Sequence, residues 1–225
     1  MTGPTLEYVC WLDVMGSESS MLRSINIASN FVMKLHISAL KTQTTFPVEL
    51  YPVIDGIYAC STDQPRILAF VNRVFSSIAV EFLSEVEPLH RFMVRAGLAY
   101  GPVIKGRNAT QGSTVLAHHQ TYCDRILIGM PLTQAYRSEK AASPFGIYLH
   151  ESVRAFAPIG APVLSGIHWK WWKFYNQQSD PQLAADLEQA LKAHLEWCTA
   201  HSTTVQYPKD DIARHLELVK EYFAN

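Results

Sequence analysis

Two aspartates, each at the end of an apolar run, are the residues of this chain best placed to do chemistry. Asp13 ends the run that begins at Tyr8, and Asp55 ends the run that begins at Tyr51. A carboxylate at the end of a strand lies at the rim of a sheet, and carboxylate oxygens are preferred ligands of hard divalent cations. Two such groups can hold cations against a phosphorylated substrate, which points to phosphoryl-transfer chemistry.

Asp55 also has a purely structural explanation. It precedes Gly56 between two β-rich runs, and Asp-Gly is a strong signal for a tight hairpin turn. The local sequence around Asp55, taken by itself, favours this role in a turn. The two carboxylates by themselves therefore leave the metal site undecided, and the surrounding elements have to be considered.

The hydrophobic pattern predicts strands and helices in alternation around these aspartates. Residues 6–14 read as a buried strand, and a helix follows with an apolar stripe from Met21 to Ala39 and serines such as Ser17 at its start. A hairpin over residues 46–62 comes next. The remaining predicted elements are a helix over 66–86, a strand over 92–103, a long polar loop over 104–124, a helix that begins near Pro131, a short strand over 145–149, a Trp-rich strand-like stretch over 163–174, and helices over 183–195 and 210–222.

This order of elements predicts an α+β fold with an antiparallel or mixed sheet of the split βαβ, ferredoxin-like kind. The last two helices look like an addition to that core. We therefore expect a core domain over residues 1–176 and a C-terminal helical extension over residues 177–225.

Composition narrows the classes of partner. The 225 residues include 19 Lys and Arg against 20 Asp and Glu, so the net charge is −1 and no basic run marks a nucleic-acid or membrane partner. The four cysteines are scattered without a Cys-x-x-Cys pair, which is typical of reduced structural cysteines. No charge-free membrane span or leader segment stands out, so we expect a cytoplasmic protein.

Four motifs in order resemble those of the class III nucleotidyl cyclases, and together they cover about residues 6–150. Residues 13–16 (Asp-Val-Met-Gly) match the end of the family's first strand, and residues 54–56 (Ile-Asp-Gly) match its hairpin. Residues 95–103 (Arg-Ala-Gly-Leu-Ala-Tyr-Gly-Pro-Val) match the pattern Arg-x-Gly-x-x-x-Gly-Pro-Val. Residues 129–137 follow the pattern Gly-x-x-apolar-Asn-x-Ala-x-Arg, with Thr133 in place of the asparagine. Each motif alone is weak, but four in sequence are specific.

The resemblance implies a two-ion mechanism. In the family, two divalent cations, Mg²⁺ or Mn²⁺, bridge the carboxylates and the substrate phosphates, so Asp13, Asp55 and the backbone carbonyl of Val14 are the implied ligands. Arg137 matches the arginine that stabilises the pentavalent phosphate, and Thr133 stands at the position that orients the ribose. The family works as a head-to-tail dimer, so these two residues are expected to serve the site of the other chain.

Other residues are implied for the triphosphate. The loop Met15-Gly16-Ser17 precedes a helix start, and its amides could cradle the phosphates. A family lysine near the end of the core would correspond to Lys170 or Lys173. Arg95 is interpreted as a strand residue paired nearby rather than as an active-site contact.

The positions that read the base in the family are changed here. Four residues before the hairpin aspartate, where adenylate cyclases often have Lys and guanylate cyclases Glu, this chain has Tyr51. The second adenine-reading position holds Ile126, with Asp124 two residues away. Tyr51 narrows the pocket, which favours a pyrimidine, although an ordinary strand tyrosine explains it equally well.

The chain thus resembles the pyrimidine-cyclase branch of the bacterial Pycsar anti-phage systems. That resemblance implies a lyase that converts UTP to 3′,5′-cyclic UMP and pyrophosphate, as a second messenger for a downstream effector. Cytidylate or adenylate cyclase activity and a catalytically silent nucleotide-binding module that dimerises are the alternatives. A diguanylate cyclase does not fit, because the hairpin lacks the Gly-Gly-(Asp/Glu)-Glu-Phe motif.

Overall fold

A seven-stranded sheet forms the centre of the molecule. The computed structural model describes residues 3–109, 113–155, 164, 166–174 and 180–224. The strands are β1 (Thr5–Val14), β2 (Glu49–Val53), β3 (Gly56–Ser61), β4 (Val94–Lys105), β5 (Leu127–Ile128), β6 (Ile147–Leu149) and β7 (His168–Trp169). They lie in the order β2-β3-β1-β4-β6-β7, with β5 paired to β4, and among these pairs only β4 and β6 run parallel.

Helices cover both faces of this sheet, so the predicted α+β class is confirmed. The helices are α1 (Ser17–Arg23), α2 (Ile25–Gln43), α3 (Gln64–Ser84), α4 (Gly106–Ala109), α5 (Thr114–Ala117), α6 (Gln120–Cys123), α7 (Met130–Glu139), α8 (Glu151–Ala155), α9 (Trp171–Phe174), α10 (Pro181–Ala200), α11 (Ser202–Val205) and α12 (Lys209–Phe223).

Strand β1 lies in the middle of the sheet and is buried on both faces. Because side chains alternate along a strand, its even-numbered residues, such as Leu12, join the large core that contains α2 and α3. Its odd-numbered residues, such as Val9 and Trp11, join a smaller cluster that includes Ala135 of α7. Asp13 belongs to the odd-numbered set and therefore faces the α7 side of the sheet.

The predicted first helix is interrupted. Ser24 adopts an extended conformation between α1 and α2, and its hydroxyl accepts a hydrogen bond from the amide of Ile27, so Ser24 caps the second helix. The serine expected at the start of the first helix provides no side-chain cap, since Gly16 occupies the N-cap position. Met21 and Ile25, which were expected on the buried stripe, are both exposed, and α1 has no buried residue.

The hairpin over β2 and β3 is confirmed, but its turn lies one residue earlier than predicted. The turn residues are Ile54 and Asp55, and Ile54 has a φ of 52°. Gly56 is already the first residue of β3 and lies opposite Asp13. A side chain at Gly56 would meet the Trp11 ring at 2.5 Å, so glycine is required here by close packing rather than by the turn.

Two other predictions are corrected by local structure. The segment over residues 104–124 was expected to be irregular, but its described part contains the end of β4 and the short helices α4, α5 and α6. In the described part of the Trp-rich stretch, the strand is limited to the two residues of β7, and α9 begins at Trp171. Trp171 is fully buried and donates its indole N–H to the carbonyl of Phe145, so these aromatic residues serve the core.

The C-terminal helices share the main core with the sheet. Leu187 and Leu191 of α10 and Val219 of α12 are fully buried in the same cluster as Phe75 of α3 and Ile147 of β6. The expected boundary between residues 176 and 177 lies outside the described residues, so the division of the chain into a core and an extension stays a prediction.

Helix α3 is the single described helix that is long and apolar enough to cross a membrane, judged by length and composition only. In the fold it serves as a core helix, because Ile67, Phe70 and Val74 are completely buried between the sheet and the C-terminal helices. Such burial is ordinary for the central helix of a globular domain.

Two buried histidines make stability depend on pH. Burial lowers the pKa of His194 and of His215 to about 4 each, and neighbouring arginines add to the effect. Their folded pKa lies below the unfolded value, so the unfolded chain binds more protons and the native state loses stability as the pH falls from about 6.5 towards 4. We expect each histidine to cost about 2 kcal/mol of unfolding free energy between pH 7.5 and pH 5.

Urea denaturation at both pH values, followed by circular dichroism, measures this loss. The double variant His194→Gln/His215→Gln should show a clearly smaller difference between the two pH values than the native chain. His90→Gln is the matched control, because His90 is exposed. An equal pH dependence in the native chain and the double variant would contradict the assignment.

Candidate active site

The two predicted aspartates lie next to each other at one rim of the sheet. Asp13, near the end of β1, pairs in register with Gly56 of β3 and Arg95 of β4. Asp55 immediately precedes Gly56, and its charge is close enough to raise the pKa of Asp13. The register of β1 and β3 therefore brings together two carboxylates that are 42 residues apart in the sequence, counted from 13 to 55.

Glu139 is a third carboxylate at this rim, and sequence reasoning missed it. It lies at the end of α7, is 1% exposed, forms an ion pair with Arg95 and shares a hydrogen bond with Asp13. The predicted pairing of Arg95 with a nearby residue is thereby confirmed. Nothing in the spacing of Glu139 marks it in the sequence, because its position depends on how α7 packs on the sheet.

Gly97 sets that packing. A side chain at Gly97 would meet the backbone carbonyl oxygen of Ala135 at 2.1 Å and the amide nitrogen of Glu139 at 2.8 Å. The helix therefore lies directly on the backbone of β4, since only glycine permits this approach. This contact holds the last turn of α7 over Asp13.

The electrostatics of Asp13 follow from this neighbourhood. Burial raises its pKa above the ordinary aspartate value, and the charges of Glu139 and Asp55 raise it further, while Arg95 opposes the shift. Burial also raises the pKa of Glu139, although Arg95 works in the other direction. Three carboxylates lie near one guanidinium at this rim, which disfavours the ionised states of Asp13 and Glu139.

A divalent cation fits this donor set. The predicted ligands are two carboxylates and a backbone carbonyl; within the described residues, no group of three or more His, Cys, Asp or Glu side chains is arranged to hold a metal ion. Val14, the third predicted ligand, has an aliphatic side chain that is buried in the core, so only its backbone carbonyl could bind a cation. A bound cation would offset the excess charge around Asp13, and oxygen ligands suit Mg²⁺ or Mn²⁺.

The loop after β1 adjoins the carboxylates. Gly16 has a φ of 70°, a left-handed conformation that favours glycine, and it carries the chain from the rim into α1. Ser17 donates a hydrogen bond from its hydroxyl to Asp55, so its side chain orients that carboxylate. The predicted role of Met15, Gly16 and Ser17 in holding phosphates stays a prediction.

Thr133 and Arg137 point away from this rim. They lie four residues apart on the exposed side of α7, whereas Ala135 and Glu139 of the same helix are buried. Within the described part of the chain, Arg137 forms no ion pair. Each side chain is thus free to reach a group outside its own chain.

Tyr51 lines a cavity of about 560 Å³ on the same face of the sheet as Asp13. Its hydroxyl donates to Glu49 at 2.7 Å, and Lys105 donates to the other oxygen of Glu49 at 2.6 Å. Lys105 also lies 2.9 Å from Glu7, which is 1% exposed. Sequence reasoning found only Tyr51 of this network, because Glu49 and Lys105 are 56 residues apart and meet only through the sheet.

The same cavity includes a second ion pair. Arg107 lines it together with Asp124, and the guanidinium donates to that carboxylate. Among the lysines proposed for the triphosphate, Lys170 donates instead to the backbone carbonyl of Ala224, and Lys173 lies exposed on α9. Side chains that could form hydrogen bonds with a ligand are therefore concentrated around Tyr51.

Comparisons with known proteins identify the fold. No family model and no curated protein matches the chain. Among solved structures, a bacterial light-regulated adenylyl cyclase aligns at a TM-score of 0.56 and 17% identity, covering 84% of this chain and 59% of that chain. The non-canonical dimeric guanylyl cyclase domain of the RhoGC fusion protein from the aquatic fungus Blastocladiella emersonii aligns at 0.50 and 18%, covering 67% and 82%.

A third structure contains a nucleotide. The guanylate cyclase domain of RhGC from Catenaria anguillulae in complex with GTP aligns at a TM-score of 0.50 and 17% identity, covering 65% of this chain and 79% of that chain. At these identities the alignments show the fold alone. The chain therefore has the fold of class III cyclase catalytic domains, and its chemistry has to be argued from its own residues.

Proposed function

We propose that this protein is a class III nucleotidyl cyclase. The observation that carries the proposal is the pairing of Asp13 with Asp55 at the rim of this fold, where burial and mutual repulsion favour a bound cation. In the proposed reaction the ribose 3′ oxygen bonds to the α-phosphorus, the bond from that phosphorus to the bridging oxygen of the β-phosphate breaks, and pyrophosphate leaves with the electron pair. The hydroxyl proton passes to solvent.

The proposed residues bind the cations, orient a ligand carboxylate or contact the phosphates. Asp13, Asp55 and the Val14 carbonyl would hold two divalent cations, which would neutralise charge at the phosphates and lower the pKa of the 3′-hydroxyl. Ser17 keeps Asp55 in place. The Gly16 amide would face the phosphates, whereas the Met15 amide already donates to the carbonyl of Met93 at 2.8 Å. Positioning and electrostatics account for most of the rate enhancement in reactions of this kind.

The active unit in this proposal is a homodimer with two shared sites. The exposed positions of Thr133 and Arg137 support it, because these side chains are directed away from Asp13 of their own chain. Three apolar side chains that are exposed, Met130 and Tyr136 on α7 and Ile54 on the hairpin, are suited to an interface. Arg137 then stabilises the charge on the α-phosphate of the partner's site, and Thr133 donates to the ribose.

The network around Tyr51 supports UTP over CTP as the substrate. Burial alone would raise the pKa of Glu49, but hydrogen bonds from Lys105 and Tyr51 outweigh it and lower that pKa, so Glu49 is ionised at neutral pH. Uracil presents an N3–H donor between two carbonyl acceptors. The Glu49 carboxylate suits the N3–H, and Lys105 and Arg107 suit the carbonyls, whereas cytosine offers an acceptor at N3.

The product of this proposal is 3′,5′-cyclic UMP, made in the cytoplasm and read by a downstream effector in bacterial anti-phage defence. The support is the resemblance to the pyrimidine-cyclase branch at Tyr51. The reaction itself does not depend on this role.

A direct test incubates the purified protein with ATP, GTP, CTP and UTP separately in the presence of Mn²⁺. We expect cyclic UMP and pyrophosphate from UTP, identified by mass spectrometry, and at least tenfold less product from the other three. Comparable turnover of ATP or GTP would contradict the assignment of the base. Nucleotide binding without any cyclic product would instead identify a silent binding module.

Glu49→Gln tests the base contact within the same assay. Loss of a charged hydrogen bond costs about 1.5 to 3 kcal/mol, so we expect kcat/KM for UTP to fall by roughly 10- to 100-fold. Glu49 is half exposed, so the variant should fold normally. Glu217→Gln, on the exposed side of α12, is the matched control and should retain full activity.

A further inference from the structure

A second cavity, of about 240 Å³, lies beside the carboxylate rim on the side of the C-terminal helices. Met15 and Gly16, which directly follow Asp13 and Val14, form one wall. The opposite wall comes from α10, α12 and the segment between them. We call this space the arginine pocket, because Arg23, Arg91, Arg95 and Arg214 line it.

The arginine pocket carries a surplus of positive charge. Arg214 pairs with Asp211 at 3.0 Å, and Arg95 pairs with Glu139. Arg23 and Arg91 have no carboxylate partner among the described residues; Arg91 donates to the backbone carbonyl of Glu85 and lies over the ring of Phe82. Two guanidinium charges therefore remain uncompensated, which favours an anion with several oxygen atoms.

Buried polar atoms without a hydrogen-bond partner also indicate a ligand site in the arginine pocket. The Nε atom of Arg23 is buried without a hydrogen-bond partner. His215 is 5% exposed, its Nε2 atom has no partner, and its Nδ1 atom shares a hydrogen bond with the hydroxyl of Tyr207. When that hydroxyl donates to Nδ1, the proton of the neutral ring lies on Nε2 and is available to a ligand. His194, 6% exposed, also lines the pocket with an unpartnered Nδ1 atom. Buried polar groups normally have partners, so these atoms mark a place for a ligand.

We infer that the arginine pocket binds inorganic pyrophosphate, the leaving group of the proposed cyclase reaction. This inference rests on the proposed function for the identity of the anion. The position supports it, because Gly16 and Arg95 belong both to the carboxylate rim and to the pocket wall, so phosphates that leave the rim meet these arginines next. The C-terminal helices thereby contribute Arg214 and His215 to the handling of the product.

Isothermal titration of the full-length protein with pyrophosphate tests the inference in the presence of EDTA and without nucleotide. EDTA removes divalent cations, so binding through Asp13 and Asp55 does not contribute. We expect the double variant Arg23→Gln/Arg214→Gln to bind pyrophosphate at least tenfold more weakly than the native protein. Arg73→Gln, an exposed arginine on α3 outside the pocket, is the matched control and should bind normally.

Two further measurements keep the result interpretable. Arg214→Lys should recover part of the affinity that Arg214→Gln loses, and pyrophosphate should raise the Tm of the native protein but not that of the double variant, which also verifies that the variant is folded. Inorganic phosphate should bind at least tenfold more weakly than pyrophosphate, because one phosphate group reaches fewer of the arginines.

Native-like binding by the double variant, equal affinity for phosphate and pyrophosphate, or no binding by the native protein would each overturn the inference. The outcome is separable from the proposed function. A protein that makes a cyclic nucleotide but does not bind pyrophosphate overturns the pocket alone. A protein that binds pyrophosphate through these arginines but makes no cyclic product overturns the cyclase proposal.

Discussion

Replacing either aspartate of the rim by asparagine should remove cyclase activity while leaving the fold intact. We expect Asp13→Asn and Asp55→Asn each to lower kcat by roughly a thousandfold, which corresponds to about 4 kcal/mol of lost charge stabilisation in the transition state. Asparagine keeps the shape of the side chain but cannot supply the negative charge that holds a divalent cation. Removal of the cations with EDTA should have an effect at least as large.

Although Asp13→Asn should lose activity, we do not expect it to lose stability. Burial and the charges of Glu139 and Asp55 disfavour its ionised form, so a neutral amide relieves a cost that the native chain carries. We therefore expect the unfolding free energy of Asp13→Asn to equal or exceed that of the native protein in urea denaturation. Asp210→Asn, an exposed position on α12, is the control for both measurements. An active Asp13→Asn protein, or one that is inactive because it unfolds, would contradict the assignment of the metal site.

Mixing two inactive variants should restore activity, and this is the prediction with the second largest effect. In the shared-site dimer, Asp55→Asn damages the half of the site that holds the cations, and Arg137→Ala damages the half supplied by the partner. A heterodimer of the two chains has one site with both defects and one site with neither. We expect a purified heterodimer with two different affinity tags to show about half of the native activity, although each variant alone is almost inactive.

Two features of this experiment exclude misfolding and a general effect of removing an arginine. Arg137 is exposed and forms no ion pair within the described residues, so Arg137→Ala should not affect folding. Arg154→Ala on α8 removes another exposed arginine and should neither abolish activity nor take part in complementation. Inactive heterodimers, verified by their tags, would show that each chain builds its site alone.

Much of the fold could be predicted from periodicity. Strand β1 has a period of two residues, and α3 and α10 have periods of three to four; the structure contains each of them near its predicted place. Local signals marked two further elements, since Asp55-Gly56 indicated the hairpin and Pro131 the start of α7. The break at Ser24 could not be predicted in this way, because the apolar stripe continues across it. The short helices after β4 also escaped, since four-residue helices leave too few residues for a period to show.

The candidate site was predictable in part. Asp13 and Asp55 could be found because each ends an apolar run that has a clear pattern. Glu139 and Glu49 could not, since each acquires its neighbours through long-range contacts. The contact of α7 with Gly97 brings Glu139 to Asp13, and the sheet brings Lys105 to Glu49. Periodicity reports which face a residue occupies but not which distant residue lies opposite.

The position of β2 at the edge of the sheet has a consequence for how this protein can evolve. Strand β2 ends the sheet order, and Pro52, which has no amide hydrogen to donate, is tolerated there as it would not be in a central strand. The carboxylate rim depends on central β1 and on two glycines without room for a side chain, so most mutations there would be lethal to function. Glu49 and Tyr51 lie on this edge strand, which pairs with one neighbour, β3, rather than with two. In the proposed cyclase, substitutions on β2 would change the contacts with the base and leave the carboxylate rim intact.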